Sequence, residues 1–205
     1  YEIALNKSAA LLFNAGLTHF SNGSMNMPNL GINLAHINAG FKKEFGTVTL
    51  NRKPTGEKIS RSPFIAIMVM GGMKKVYPQF GPQYYAATIS GLRLVPLRKK
   101  SFWGYGADLF FDNSISGRLR ALKNENPTSK DNYRAGIYGA YQLQVGSLGL
   151  MLNMGYYLVN PYSDDGNIYH RIALRYYLNK YFIAFDLKTH FARADFFDLG
   201  AGVRF

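Results

Sequence analysis

The chain has 205 residues, with 24 Lys and Arg against 12 Asp and Glu, a formal net charge of +12 and no cysteine. Disulfide and thiol chemistry are therefore excluded. The basic balance calls for a polyanionic surrounding: nucleic acid, an anionic membrane or the phosphates of a glycolipid. No uninterrupted apolar run approaches the ~18 residues of a membrane-spanning helix.

What runs along the chain instead is alternation with period two, broken by short polar turns. In chain order the segments expected to be strands are Ala9–Ser21, Gly31–Lys43, Pro63–Lys74, Gln83–Leu97 and Phe102–Asn113. They continue with Asn132–Val145, Leu148–Val159, Ile168–Leu178, Tyr181–His190 and Asp195–Phe205. No helical stripe competes with them, and the chain reads as one domain over residues 1–205.

The last segment indicates the class. Phe197, Leu199, Ala201, Val203 and Phe205 share one face, and Phe196, Asp198, Gly200, Gly202 and Arg204 the other. Apolar residues opposite small or charged ones fit lipid outside and a polar lumen inside. The connections at Arg98–Ser101, Gly146–Ser147 and Asn179–Lys180 are short. Those at Ser114–Asp131 and Asn160–Asn167 are longer. Short periplasmic turns alternating with longer external loops characterise bacterial outer-membrane barrels. The expected fold is an all-β, antiparallel, up-and-down transmembrane barrel of about ten strands, or twelve if two more precede residue 1. The long, basic connection Glu44–Ser62 breaks the alternation of loop lengths.

Chemistry concentrates at the first turn. His19 and Ser21 lie two apart, so a strand projects both from one face. There an imidazole can act as base toward a hydroxyl, which is a weak nucleophile without one. Leu11, Phe13, Ala15 and Leu17 share their parity, which places the pair on the lipid side. Asn33 has the same parity as Ala35, Ile37, Ala39 and Phe41, and a hairpin brings it beside His19. From spacing alone, the ordinary reading is a polar turn, because Ser, Asn, Gly and Pro are common turn formers.

The segment THFSNGS (Thr18–Ser24), with PN and GIN following up to Asn33, resembles the PagL-type lipid A 3-O-deacylases, also known as bacterial acyloxyacyl hydrolases. The resemblance is strongest from Gly16 to Asn33. It implies a small outer-membrane barrel that hydrolyses an ester-linked acyl chain of lipopolysaccharide at a lipid-facing site. It further implies Ser21 as nucleophile, His19 as general base, and Asn22, Asn29 and Gly23 as positioning or oxyanion residues. The triad's acidic position, a Glu in that family, is Asn33 here. In that family the motif also comes late in an eight-stranded barrel, whereas here further strands follow it. A barrel kept as a structural or assembly subunit of an outer-membrane complex is the alternative, and a pore is a third reading.

The remaining residues add less. His190, Arg193, Asp195 and Asp198 in the last hairpin read as a charge-paired loop tip. His36 and His170 are isolated, so no metal site is expected, and no cofactor. The basic residues are dispersed without a nucleic-acid motif. The expected surroundings are lipid A and outer-membrane lipid.

Overall fold

The computed structural model describes residues 1–25, 31–46, 62–76, 81–191 and 193–205. The strands are β1 (Glu2–Asn6), β2 (Ala9–Phe20), β3 (Ile32–Lys43), β4 (Phe64–Lys75), β5 (Gln83–Arg98) and β6 (Ser101–Asp112). After helix α1 (Ser114–Lys123) come β7 (Tyr133–Val145), β8 (Leu148–Val159), β9 (Ile168–Leu178), β10 (Tyr181–His190) and β11 (Arg193–Arg204). They form two separate sheets. One is three-stranded in the order β1-β2-β3. The other is a closed barrel in the order β10-β11-β4-β5-β6-β7-β8-β9.

All the strands expected from the sequence are present, but they do not share one barrel. Alternation reports which face a residue occupies and is silent on which strand lies next door. The ring closes when β11 pairs with β4, Val203 opposite Ile67 and Phe197 opposite Met73. The long Glu44–Ser62 connection lies between β3 of one sheet and β4 of the other, and its residues 47–61 lie outside the described residues.

The barrel is inside-out relative to a water-soluble one. On β4, Phe64, Ala66, Met68 and Met70 are buried, while Ile65, Ile67 and Val69 between them are exposed. The same division runs along β8 to β10, where Leu150, Leu152, Ile172, Leu174, Ile183 and Phe185 all face out. Exposed Trp103, Tyr141, Tyr176 and Tyr181 sit toward the end with the short turns. Tyr85, Tyr133 and Tyr156 sit toward the other end. An apolar band between aromatic girdles is the outer wall of a transmembrane β-barrel.

An eight-stranded ring is just wide enough for side chains to fill, and here they do. Arg134, Arg171, Arg175, Tyr169, Phe110 and Phe182 are among the largest fully buried side chains. At mid-height Arg171 bonds Asp186 through Nε at 2.7 Å and Asp108 through Nη1 at 2.7 Å. Tyr169 adds a bond to Asp108 at 2.9 Å. Such charges persist away from water because they are paired and hydrogen-bonded. This filled interior gives the pore reading no support.

Two expectations need correction. The last hairpin is charge-paired, with exposed Arg193 on Asp165 and Asp195 on Lys74 and Lys188, but it is not an exposed tip throughout, because His190, Asp195 and Asp198 are buried inside the barrel. The Ser114–Asp131 connection contains α1, which was not expected. Its apolar residues Ile115 and Leu119, one helical turn apart, are buried in a small cluster with Tyr162. So short an element is held by that burial more than by helix propensity. Asp112 Oδ1 accepts the Ser114 N–H at 3.0 Å where the helix starts. Asn124 ends it in the left-handed conformation, its N–H donating to the Leu119 carbonyl.

Candidate active site

β2 and β3 form a regular antiparallel hairpin sheet in which Leu11 faces Phe41, Ala15 faces Ile37 and His19 faces Asn33. Opposed residues share a face, so the apolar parity carries His19 and Asn33 at its end. This face is uncovered: Phe13, Leu17, Ile37 and Phe41 are all exposed, Ile37 by 86%. An apolar surface of this extent marks contact with lipid or protein.

His19 and Asn33 meet as the register requires. The imidazole Nδ1 lies 2.7 Å from the Asn33 side-chain oxygen. An amide oxygen only accepts, so in this contact Nδ1 is the donor. No carboxylate hydrogen-bonds or ion-pairs with His19 among the described residues. Gly31 lies against the ring. It has φ +63, and a Cβ there would sit 2.9 Å from His19 Cε1. Both its conformation and this close approach select glycine.

Ser21 is exposed and follows the last residue of β2. It and His19 make no hydrogen bond with each other among the described residues. Asn22 is half-buried at the exit from the strand. Asn29, expected near the oxyanion, lies outside the described residues. Gly23 is buried with φ +59, where a Cβ would collide with the Phe197 ring at 2.0 Å. Its glycine character thus has a packing reason on the barrel. Ser24, at φ 67, donates from Oγ to the Ala194 carbonyl at 2.8 Å, and its carbonyl accepts the Lys75 N–H at 2.9 Å.

Two features of the sheet were missed by sequence reasoning. Gly31 is one. The other is the opposite face, where His36 lies across Gly16, its Nε2 2.6 Å from where a Cβ would be. Beside this pair, Asn38 donates to the Asn14 side-chain oxygen at 2.8 Å. A glycine inside an alternating strand signals such close approaches.

A sequence model of the acyloxyacyl hydrolase C-terminal domain matches residues 63–205. The chain belongs to the acyloxyacyl hydrolase family. The matched residues of this acyloxyacyl hydrolase family member are those of the barrel, β4 to β11, while the His19–Ser21 motif lies before them. None of the curated proteins compared matches the chain in sequence. Among solved structures, a barrel from the de novo design of transmembrane β-barrels is similar. It is 10% identical, with a TM-score of 0.41, covering 69% of this chain and 95% of that one.

Proposed function

We propose that this acyloxyacyl hydrolase family member sits in the outer membrane of a Gram-negative-type cell and hydrolyses an ester-linked acyl chain of lipid A. The observation that carries this reading is the 2.7 Å contact between His19 Nδ1 and Asn33. It supports a tautomer with the proton on Nδ1, in which Nε2 could accept the Ser21 proton.

In the proposed reaction Ser21 Oγ attacks the ester carbonyl and His19 Nε2 takes its proton. The tetrahedral oxyanion collapses, the ester C–O bond breaks, and the imidazolium returns the proton to the departing alkoxide. Water, deprotonated by His19, then cleaves the acyl-serine and releases a fatty acid. Asn22 and Asn29, with Gly23, are proposed to position the oxyanion. Asn33 orients the imidazole but lends no charge to the imidazolium. In a serine protease the corresponding Asp-to-Asn change lowers turnover by about 10⁴, so slow turnover is expected. The apolar face around His19 suits a substrate whose scissile ester lies at the boundary of headgroup and acyl chain.

The test is mass spectrometry of lipid A incubated with folded wild type, Ser21→Ala and His19→Ala. Loss of one acyl chain with wild type alone supports the esterase. Unchanged lipid A in all three removes it and favours the second reading, a barrel kept as an assembly subunit of an outer-membrane complex. That second reading draws on Asn33 and on a family match that falls on the barrel.

A further inference from the structure

The end of the barrel with the long connections holds a cavity of about 290 Å³. Arg118 of α1, Tyr162 and Asp165 from the β8–β9 connection, Lys75 from β4, and Arg193 and Asp195 from β11 line it. The lining sets Lys75, Arg118 and Arg193 beside Asp164, Asp165 and Asp195, and the buried Lys74, Arg134 and Lys188 behind it draw on the same carboxylates. Asp165 accepts from Arg118 at 2.9 and 3.1 Å, from Arg134 at 2.9 Å, and also from Arg193. Asp195 is shared by Lys74 at 2.5 Å and Lys188 at 2.9 Å. Asp112 is held by Lys74 at 2.6 Å, and Asp164 by Lys123 at 2.9 Å. Lys75 makes no ion pair among the described residues.

A second observation is independent of charge. Arg118, which lines the cavity, has Nε and Nη2 buried with no hydrogen-bond acceptor among the described residues, Nη2 standing 3.9 Å from Asp112. The fully buried Arg134 is not part of the lining, but its Nε and Nη1 also have no acceptor among the described residues. Orphaned guanidinium donors are costly, more so than neutral ones. The Tyr162 ring centroid lies 4.3 Å from the Arg118 guanidinium carbon, and both residues line the cavity.

We propose that this cavity binds a phosphate group. A phosphate offers several acceptor oxygens and more than one negative charge. It matches the fork of a guanidinium, and Lys75 supplies a further point charge. The lining carboxylates are each engaged by at least one cation and do not oppose it. The group can come from free phosphate or from a phosphomonoester lipid headgroup. The site is independent of the Ser21–His19 reading, since it is read by binding and not by turnover.

The experiment is ³¹P NMR of the protein in phosphate-free nonionic detergent titrated with inorganic phosphate. A parallel arm uses phosphatidylcholine vesicles with and without phosphatidic acid. The expected result is a saturable shift of the inorganic phosphate signal or of the phosphatidic acid signal, weakened at least tenfold in Arg118→Ala and severalfold in Lys75→Ala. Saturation by inorganic phosphate identifies the free ion as ligand. A response to phosphatidic acid alone identifies the headgroup. Lys75→Ala leaves the buried pairs intact, so it reports on the site even if Arg118→Ala does not fold. No response to either probe, or the same response in both variants, overturns the proposal.

Discussion

The three-stranded sheet and the closed barrel are written in the same period-two alternation, yet only one of them is filled. The inner parity of the barrel carries Arg171, Asp108, Asp186 and Tyr169, which reach one another across the ring. The corresponding parity of the sheet carries Asn14, Gly16, His36 and Asn38, which reach only the next strand. The buried network and the family match thus fall in β4–β11, while the candidate chemistry is proposed on β2 and β3. An internal network requires opposed walls, and alternation alone does not provide it.

The largest effect expected from breaking this comparison is catalytic. Ser21→Ala is predicted to abolish acyl release, whereas Asn33→Glu, which restores charge beneath His19, should raise it. The gain is bounded by the about 10⁴-fold that the reverse change costs a serine protease. Fatty-acid release per lipid A, followed by mass spectrometry, measures both.

Next in size is the barrel's ion network. Asp186→Ala strands part of the buried Arg171 charge and should cost about 3–5 kcal/mol in urea unfolding. Asn38→Ala in the sheet should cost about 1 kcal/mol or less. Equal losses would contradict the division of labour drawn above.

A pH experiment sharpens the same point at the barrel's loop end. Burial by itself would raise the Asp165 carboxyl, but Arg118 and Arg134 overcome it and hold the group at about 2, below the ordinary 3.8. A lowered pKa contributes stability that is fully present above 3.8 and is lost as pH falls through about 2. The contribution is about 2 kcal/mol. Asp165→Asn should therefore destabilise at pH 7 and lose most of that deficit near pH 2, as read from unfolding midpoints across that range.

The smallest effect is local. Gly31→Ala forces a left-handed alanine against the His19 ring and should cost about 1 kcal/mol. The His19 ring resonances should move, while the barrel's signals stay where they are.

The strands were legible in the sequence because each presents its face residue by residue. β1 was not, since EIALN is too short to establish a period. Nor was α1, whose anchoring apolar residues are chiefly Ile115 and Leu119, buried against a tyrosine far along the chain. Ring size was illegible because nothing local says that β11 returns to β4 instead of β2. The His19–Asn33 contact could be read, because hairpin register follows from parity. The Lys74–Asp195 and Arg118–Asp165 pairs could not, since their members lie on distant elements that only ring closure brings together.

Trapping tests whether Ser21 is a nucleophile activated by His19. Folded wild type and His19→Ala are treated with a fluorophosphonate, and the modified peptide is located by mass spectrometry. The account predicts covalent label on Ser21 in wild type and its loss in His19→Ala. Label on another residue, or none on Ser21, would contradict it.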